Sequence, residues 1–228
     1  MLVLGIDTAT TIASVGLVRD GEALGEESCP ARANHAETLL PLIGRLLVRC
    51  GTALGDVRGI GVSLGPGSFT GLRIALSAVK GLAYALDQRV VGVSTLEALA
   101  HTVTGWRGHI CPILDARKGE VYAALFRRAR HGSLERLTPD QVCTPGALLD
   151  RLPAPCLFLG DAVERYGDLI RERYGPAARL LPFTTYHPRG AVVARMAWER
   201  LSRGESDDLS TLVPRYVRKP DAEFKRAD

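Results

Sequence analysis

The stretch from Val57 to Leu86 leaves this chain few folds. An apolar run, Val57–Leu64, stops at "GPGSFTGLR", Gly65 to Arg73, and a helical apolar pattern follows at once, from about Ser68 to Leu86. A buried strand that turns at glycine straight into a helix is a unit of a sheet covered by helices. The turn invites comparison with two phosphate motifs. A P-loop needs G-x-x-x-x-G-K-[ST], but five residues separate Gly65 from Gly71, and Leu72-Arg73 follow. A dinucleotide fingerprint needs G-x-G-x-x-G, and Thr70 stands at its third glycine. Two readings of the turn remain. Free N–H groups at a helix start attract an anion or nucleotide, with Gly65, Gly67 and Ser68 as contacts. Alternatively, the glycines only permit a sharp turn that Ser68 caps.

Upstream, Met1–Asp7 reads as a buried strand ending in a carboxylate. Ala13–Arg19 and Glu22–Cys29 read as two more, joined at Asp20-Gly21. Asn34 offers an N-cap, with Glu37 completing a capping box, for a helix that runs to about Cys50 and closes at Gly51. Downstream, Val90–Val93 is a short strand and Thr95–Val103 a short helix. The order β-β-β-α-β-α-β fits an α/β chain of the actin/hexokinase-like, ribonuclease-H-like kind better than a doubly wound sheet. Past Gly105 the pattern weakens. Strands are predicted at Ile110–Leu114 and Glu120–Phe126 around "DARKG", another at Leu157–Leu159, and helices at Glu164–Tyr174 and Ala191–Arg203. We therefore expect one complete lobe over residues 1–104 and a reduced second lobe over 105–228.

Both helices of the first lobe are apolar over too wide an arc. In the second, Arg73, Ser77, Lys80 and Tyr84 form one narrow polar strip. The rest is apolar or small, about twice the roughly 100° stripe of an ordinary surface helix. Gly71, Ala75, Ala78, Leu82 and Ala85 form a small-residue ridge that would admit another helix closely. The first helix carries Leu39, Leu42, Ile43 and Leu46 on one side, widened by Leu40 and Leu47. One face of each helix can cover the sheet, and the other needs a second lobe or a partner.

The composition is that of an ordinary globular protein, with a mild net charge of +4. The apolar runs are short and interrupted, so no membrane span is expected and the cytoplasm is the expected compartment. Five scattered cysteines lack the C-x-x-C spacing and read as reduced, mostly buried residues. The basic run Arg127–Arg130 reads as a solvated charge cluster.

The segments "LGIDTATTIASVGLV", "NHAETLLPLI", "GVSLGPGSFTGLRIALSAVKGLA", "VVGVSTLEALA" and "DARKGEVYAALF" resemble the TsaB (YeaZ) family, densely from Met1 to about Phe126, with "PRYVRKP" as a further echo. The resemblance implies an actin-like fold and a non-catalytic subunit in making threonylcarbamoyladenosine at position 37 of tRNAs reading ANN codons. It implies pairing through the two helices, with itself or with the catalytic paralogue TsaD, and a TsaE-type ATPase in the complex. Contact residues would then be Leu39, Leu42, Ile43, Leu46, Gly71, Leu72, Ala75, Ala78, Val79 and Leu82, with tRNA touched at most indirectly. The catalytic paralogue binds metal through H-x-x-x-H; Thr95 and Leu99 stand at those positions here, and neither serves as such a ligand. No metal or cofactor is expected in the isolated chain, and ADP or ATP is expected only where a partner meets it, with Asp7 and His35 beside the turn as candidate contacts. A small-molecule kinase or ATPase using Asp7 and the 65–71 turn is the alternative. A metalloprotease is a weaker one.

Overall fold

The computed structural model describes residues 1–30 and 35–218, so the expected Asn34 cap lies outside the described residues. Strands β1 (Leu2–Asp7), β2 (Ile12–Arg19) and β3 (Glu22–Pro30) form an antiparallel meander, and β4 (Val57–Ser63) and β5 (Arg89–Val93) extend it in parallel, in the order β3-β2-β1-β4-β5. Helices α1 (His35–Arg49) and α2 (Phe69–Leu86) cover one face of this sheet. Gly51 closes α1 at φ 60°, whereas α2 ends on Asp87, whose N–H reaches the Ala83 carbonyl. Leu4, Ile6, Val62, Leu39, Leu42 and Leu46 are sealed between sheet and helices, each contributing about 1.5–3 kcal/mol of burial.

A second sheet is built on β6 (Gly108–Asp115). Its main path also takes β7 (Val121–Ala123), β10 (Gln141–Cys143), β11 (Cys156–Leu159) and β12 (Ala178–Leu180), in the order β10-β7-β6-β11-β12. The other half of β6 pairs with β8 (Phe126–Arg128), which pairs with β9 (Leu134–Arg136). The single strand expected at Glu120–Phe126 is therefore two, each paired with a different half of β6. Helices α4 (Pro145–Leu149) and α5 (Ala162–Tyr174) pack on one side. The short helix α3 (Thr95–His101) packs on the other and joins the lobes.

The expected second lobe of 105–228 needs one amendment. Helix α6 (Gly190–Ser202) leaves it and covers the open face of the first sheet. The approach is very close: a Cβ on Gly5 would lie 2.1 Å from the Gly190 carbonyl oxygen, and one on Gly16 2.1 Å from the Ala191 nitrogen. All five cysteines are free thiols, and burial pushes that of Cys156 up to about 12. Helix α2 is long and apolar enough to cross a membrane by length and composition, yet Leu72, Ala75, Leu76, Val79 and Ala83 lie in the protein's own interior.

Candidate docking face and interlobe cleft

The glycine turn locks into the loop after β1. The Ser68 N–H donates to the Ala9 carbonyl at 2.7 Å, and Ser68 Oγ accepts from the Gly71 N–H at 3.2 Å, capping α2. Gly67, at φ 156°, has no room for a Cβ, which would meet the Ala9 carbonyl oxygen at 2.4 Å. Two of the N–H groups that could have received an anion are thus already used within the protein.

Asp7 is fully buried, and Oδ1 accepts from the Ala9 N–H at 3.1 Å. Burial raises its pKa to about 6, against the opposing pull of the Ser63 hydroxyl and the Ala9 N–H. Through Oδ1 Asp7 holds the Thr8–Thr10 loop from beneath, while Oδ2 is buried with no hydrogen-bond partner. Gly65 is buried as well, with the Arg215 carbonyl oxygen 2.9 Å from where its Cβ would stand. Thr95 and Leu99 are also fully buried, and among the described residues no group of three or more His, Cys, Asp or Glu could hold a metal.

His35, Gly67 and Ser68 do come together, on the first-lobe wall of a cleft of about 500 Å³ between the lobes. His35 Nε2 lies 3.0 Å from the Thr10 carbonyl, and burial lowers its pKa, so the ring is neutral near pH 7 and Nε2 donates this bond. The opposite wall was not foreseen. It carries Asp115, Arg117, Asp161 and Arg165. Asp161 Oδ1 accepts from the Asp115 N–H at 2.8 Å, and Arg165 lies 3.5 Å from Asp115. Burial raises the Asp161 pKa. "DARKG" marked the turn, but no spacing tied it to a residue near 165.

A second concavity, of about 470 Å³, lies on the outer surface between α1 and α2, with Leu40, Phe69, Arg73, Ile74 and Ala78 in its lining. Here the residue-level expectation needs correction. Leu39, Leu42, Ile43 and Leu46 face the sheet and are at most 3% exposed. Gly71, Leu72, Ala75 and Val79 are likewise buried. Of the ten expected contacts only Ala78 and Leu82 reach the surface, both half-buried. The wide arc is divided: one row of each helix packs inward and the neighbouring row stays outside. On α1 that outer row is Ala36, Leu40, Gly44 and Val48, a strict i, i+4 series, with Leu40 56% and Val48 83% exposed. On α2 it includes Phe69, 43% exposed, and Tyr84, 86% exposed.

The family described as TsaD, tRNA N6-adenosine threonylcarbamoyltransferase, matches residues 29–226. Over 228 residues the chain is 34% identical to the tRNA threonylcarbamoyladenosine biosynthesis protein TsaB of Bacillus subtilis, covering 99% of this chain and 97% of that protein. The solved structure of YeaZ from Pseudomonas aeruginosa superposes with a TM-score of 0.76 at 30% identity, over 94% of this chain and 99% of that one. A hexokinase of the ROK type from Thermus thermophilus shares the fold, with a TM-score of 0.50 at 13% identity over 90% of this chain and 100% of its own.

Proposed function

Because the chain belongs to the TsaB family of tRNA threonylcarbamoyladenosine biosynthesis proteins, we propose that it is the non-catalytic scaffold of that reaction. It works in the cytoplasm by docking a TsaD-type catalytic paralogue on the outer face of α1 and α2. The product is the threonylcarbamoyl group on adenosine 37 of tRNAs reading ANN codons, with tRNA held by the partner. The same face takes a second copy of the chain when the paralogue is absent, and a TsaE-type ATPase joins the assembly. The chain holds no metal of its own. An adenine nucleotide belongs at the boundary between subunits, beside the cleft wall where Arg117 and Arg165 stand among Asp115 and Asp161.

The observation that carries this reading is the groove in which Ala36 and Leu40 of the outer α1 row meet Phe69, Ile74 and Ala78 of α2. Contiguous apolar surface on a helix pair marks a protein contact. The kinase reading loses its main support, since the carboxylate it needs is sealed beneath the loop. The test is Ala78→Arg. Mass spectrometry of tRNA nucleosides from cells carrying only this variant should show the modification lost, and pull-down should show the paralogue released from a folded protein. Modified tRNA at normal level, with the paralogue still bound, would refute the reading.

A further inference from the structure

Residues 207–218 run from the edge of the first sheet to the second lobe. Asp207 bridges to Val90 on β5, Leu212 is buried in the first core, and the Arg215 N–H donates to the Leu64 carbonyl at 2.7 Å. Tyr216 then covers Phe69, ring centroids 5.1 Å apart. Its hydroxyl accepts from Arg73 Nε at 3.2 Å, and the Arg73 guanidinium lies 3.9 Å from the centre of the Phe69 ring. Two positions on, the Arg218 guanidinium donates to the Ala116 carbonyl at 2.6 Å and pairs with Glu120. Ala116 belongs to the second-lobe wall of the cleft, while Phe69 lines both the cleft and the outer groove.

We propose that residues 212–218 are a strap that ties the width of the interlobe cleft to the shape of the docking groove, with Tyr216 as its contact on the groove and Arg218 as its anchor on the second lobe. The tether is short. One residue separates Tyr216 from Arg218, and two residues of fully extended chain span about 7 Å. Arg218 has little slack, because its side chain is 20% exposed and held by two groups of the same turn. A second lobe that swings outward therefore draws Tyr216 off Phe69 or breaks the Arg218 anchor. Tyrosine, phenylalanine and arginine together are also the residue types that carry binding energy at protein contacts. A partner that fits the groove with Tyr216 in place favours the closed cleft, and whatever closes the cleft favours that partner by the same factor. The partner half of this inference rests on the docking reading above.

Two measurements test it separately. The first is amide hydrogen exchange on the full chain without any partner. Arg218→Ala should speed exchange not only in the 116–120 turn but also across Phe69–Arg73. Glu120→Gln breaks the same ion pair from the other side and replaces Arg218→Ala if that variant fails to fold. Faster exchange confined to 116–120 would overturn the strap. The second is titration with the TsaD-type paralogue. Arg218→Ala and Tyr216→Ala should each weaken binding about tenfold, with the double variant little worse than either alone. Unchanged affinity in Arg218→Ala, with Tyr216→Ala weakened, would overturn the coupling. If Ala78→Arg retains the paralogue, the docking reading fails, and spread of exchange to Phe69–Arg73 would still uphold the strap.

Discussion

Thr8 and Gly71 interlock. The Thr8 hydroxyl donates to the Gly71 carbonyl at 2.7 Å, while the Thr8 carbonyl oxygen stands 2.0 Å from where a Gly71 Cβ would be. This contact seats the first turn of α2 on the loop that Asp7 organises, so the opening glycine motif is first a joint between β1 and α2.

Gly71→Ala should accordingly destabilise the fold by about 3 kcal/mol, since the clash is with buried backbone that cannot turn aside. Gly81, on the same helix, has nothing within 4 Å of its would-be Cβ. Gly81→Ala should be neutral or stabilising by about 0.5–1 kcal/mol, through helix propensity alone. Denaturant unfolding of the two variants checks the contrast, and equal midpoints would contradict it.

Asp7 gives a pH signature of defined sign. Its folded pKa of about 6 lies above the ordinary aspartate value of 3.8. The proton is therefore held more tightly in the folded state. Below pH 4 this group costs nothing; as pH rises from about 4 to 6 it subtracts stability, and above that the loss is constant. Asp7→Asn keeps an acceptor for the Ala9 N–H and carries no charge. It should exceed the parent by on the order of 3 kcal/mol at pH 7, with the gap closing by pH 4. Unfolding curves of both proteins at several pH values decide it. The same variant should still support tRNA modification. If it folds and does not, the carboxylate has a chemical role after all.

Asp207 should behave in the opposite sense. Burial alone would raise its pKa, but Arg200 and the Gly92 N–H hold it below the usual carboxylate value. Arg200 reaches both carboxylate oxygens, at 3.3 and 3.1 Å, and Gly92 donates at 2.7 Å. The stability this gives is complete above the ordinary aspartate pKa and disappears as pH falls through the depressed one. Asp207→Ala should cost about 2 kcal/mol at pH 7, and the difference from the parent should shrink towards pH 3. A cost that does not change with pH would mean that packing, not the ion pair, sets the role of Asp207.

The elements from β1 to α3 were legible because each carries a local signal: alternation in Ala13–Arg19, the Asp20-Gly21 hairpin, the Gly51 stop, the Ser68 cap. What was not legible depends on distant pairing. The pattern of Ala191–Arg203 announces a helix but not the sheet it covers; only Gly5 and Gly16, spaced to admit Gly190 and Ala191, hint at it. Asp7 was visible as a carboxylate at a strand end, yet nothing local says that the Thr8–Thr10 loop closes over it. The exposed row of the proposed docking face is half legible. An apolar arc does not say which of its rows turns inward, so Leu39 and Leu42 read as contacts and Leu40 only as their margin. The strict series 36, 40, 44, 48 was the available clue.

That outer row supplies the cleanest test of the docking face. Leu40 is 56% exposed and Val48 83%, so neither is needed for the core, and substitution of either should change stability by no more than about 0.5 kcal/mol. Leu40 lines the groove beside Phe69 and Ile74, whereas Val48 sits two turns further along α1 and outside it. A carboxylate at position 40 would be desolvated by a docked helix, and Arg73 in the same groove is already held over the Phe69 ring and against the Tyr216 hydroxyl. Leu40→Glu should therefore weaken binding of the TsaD-type paralogue about a hundredfold, at the level of an interface hot spot. Val48→Glu should weaken it less. Calorimetric titration of the folded variants measures both. Full affinity in Leu40→Glu would move the contact away from the α1–α2 groove, and a larger loss in Val48→Glu would shift its centre towards the C-terminal end of α1.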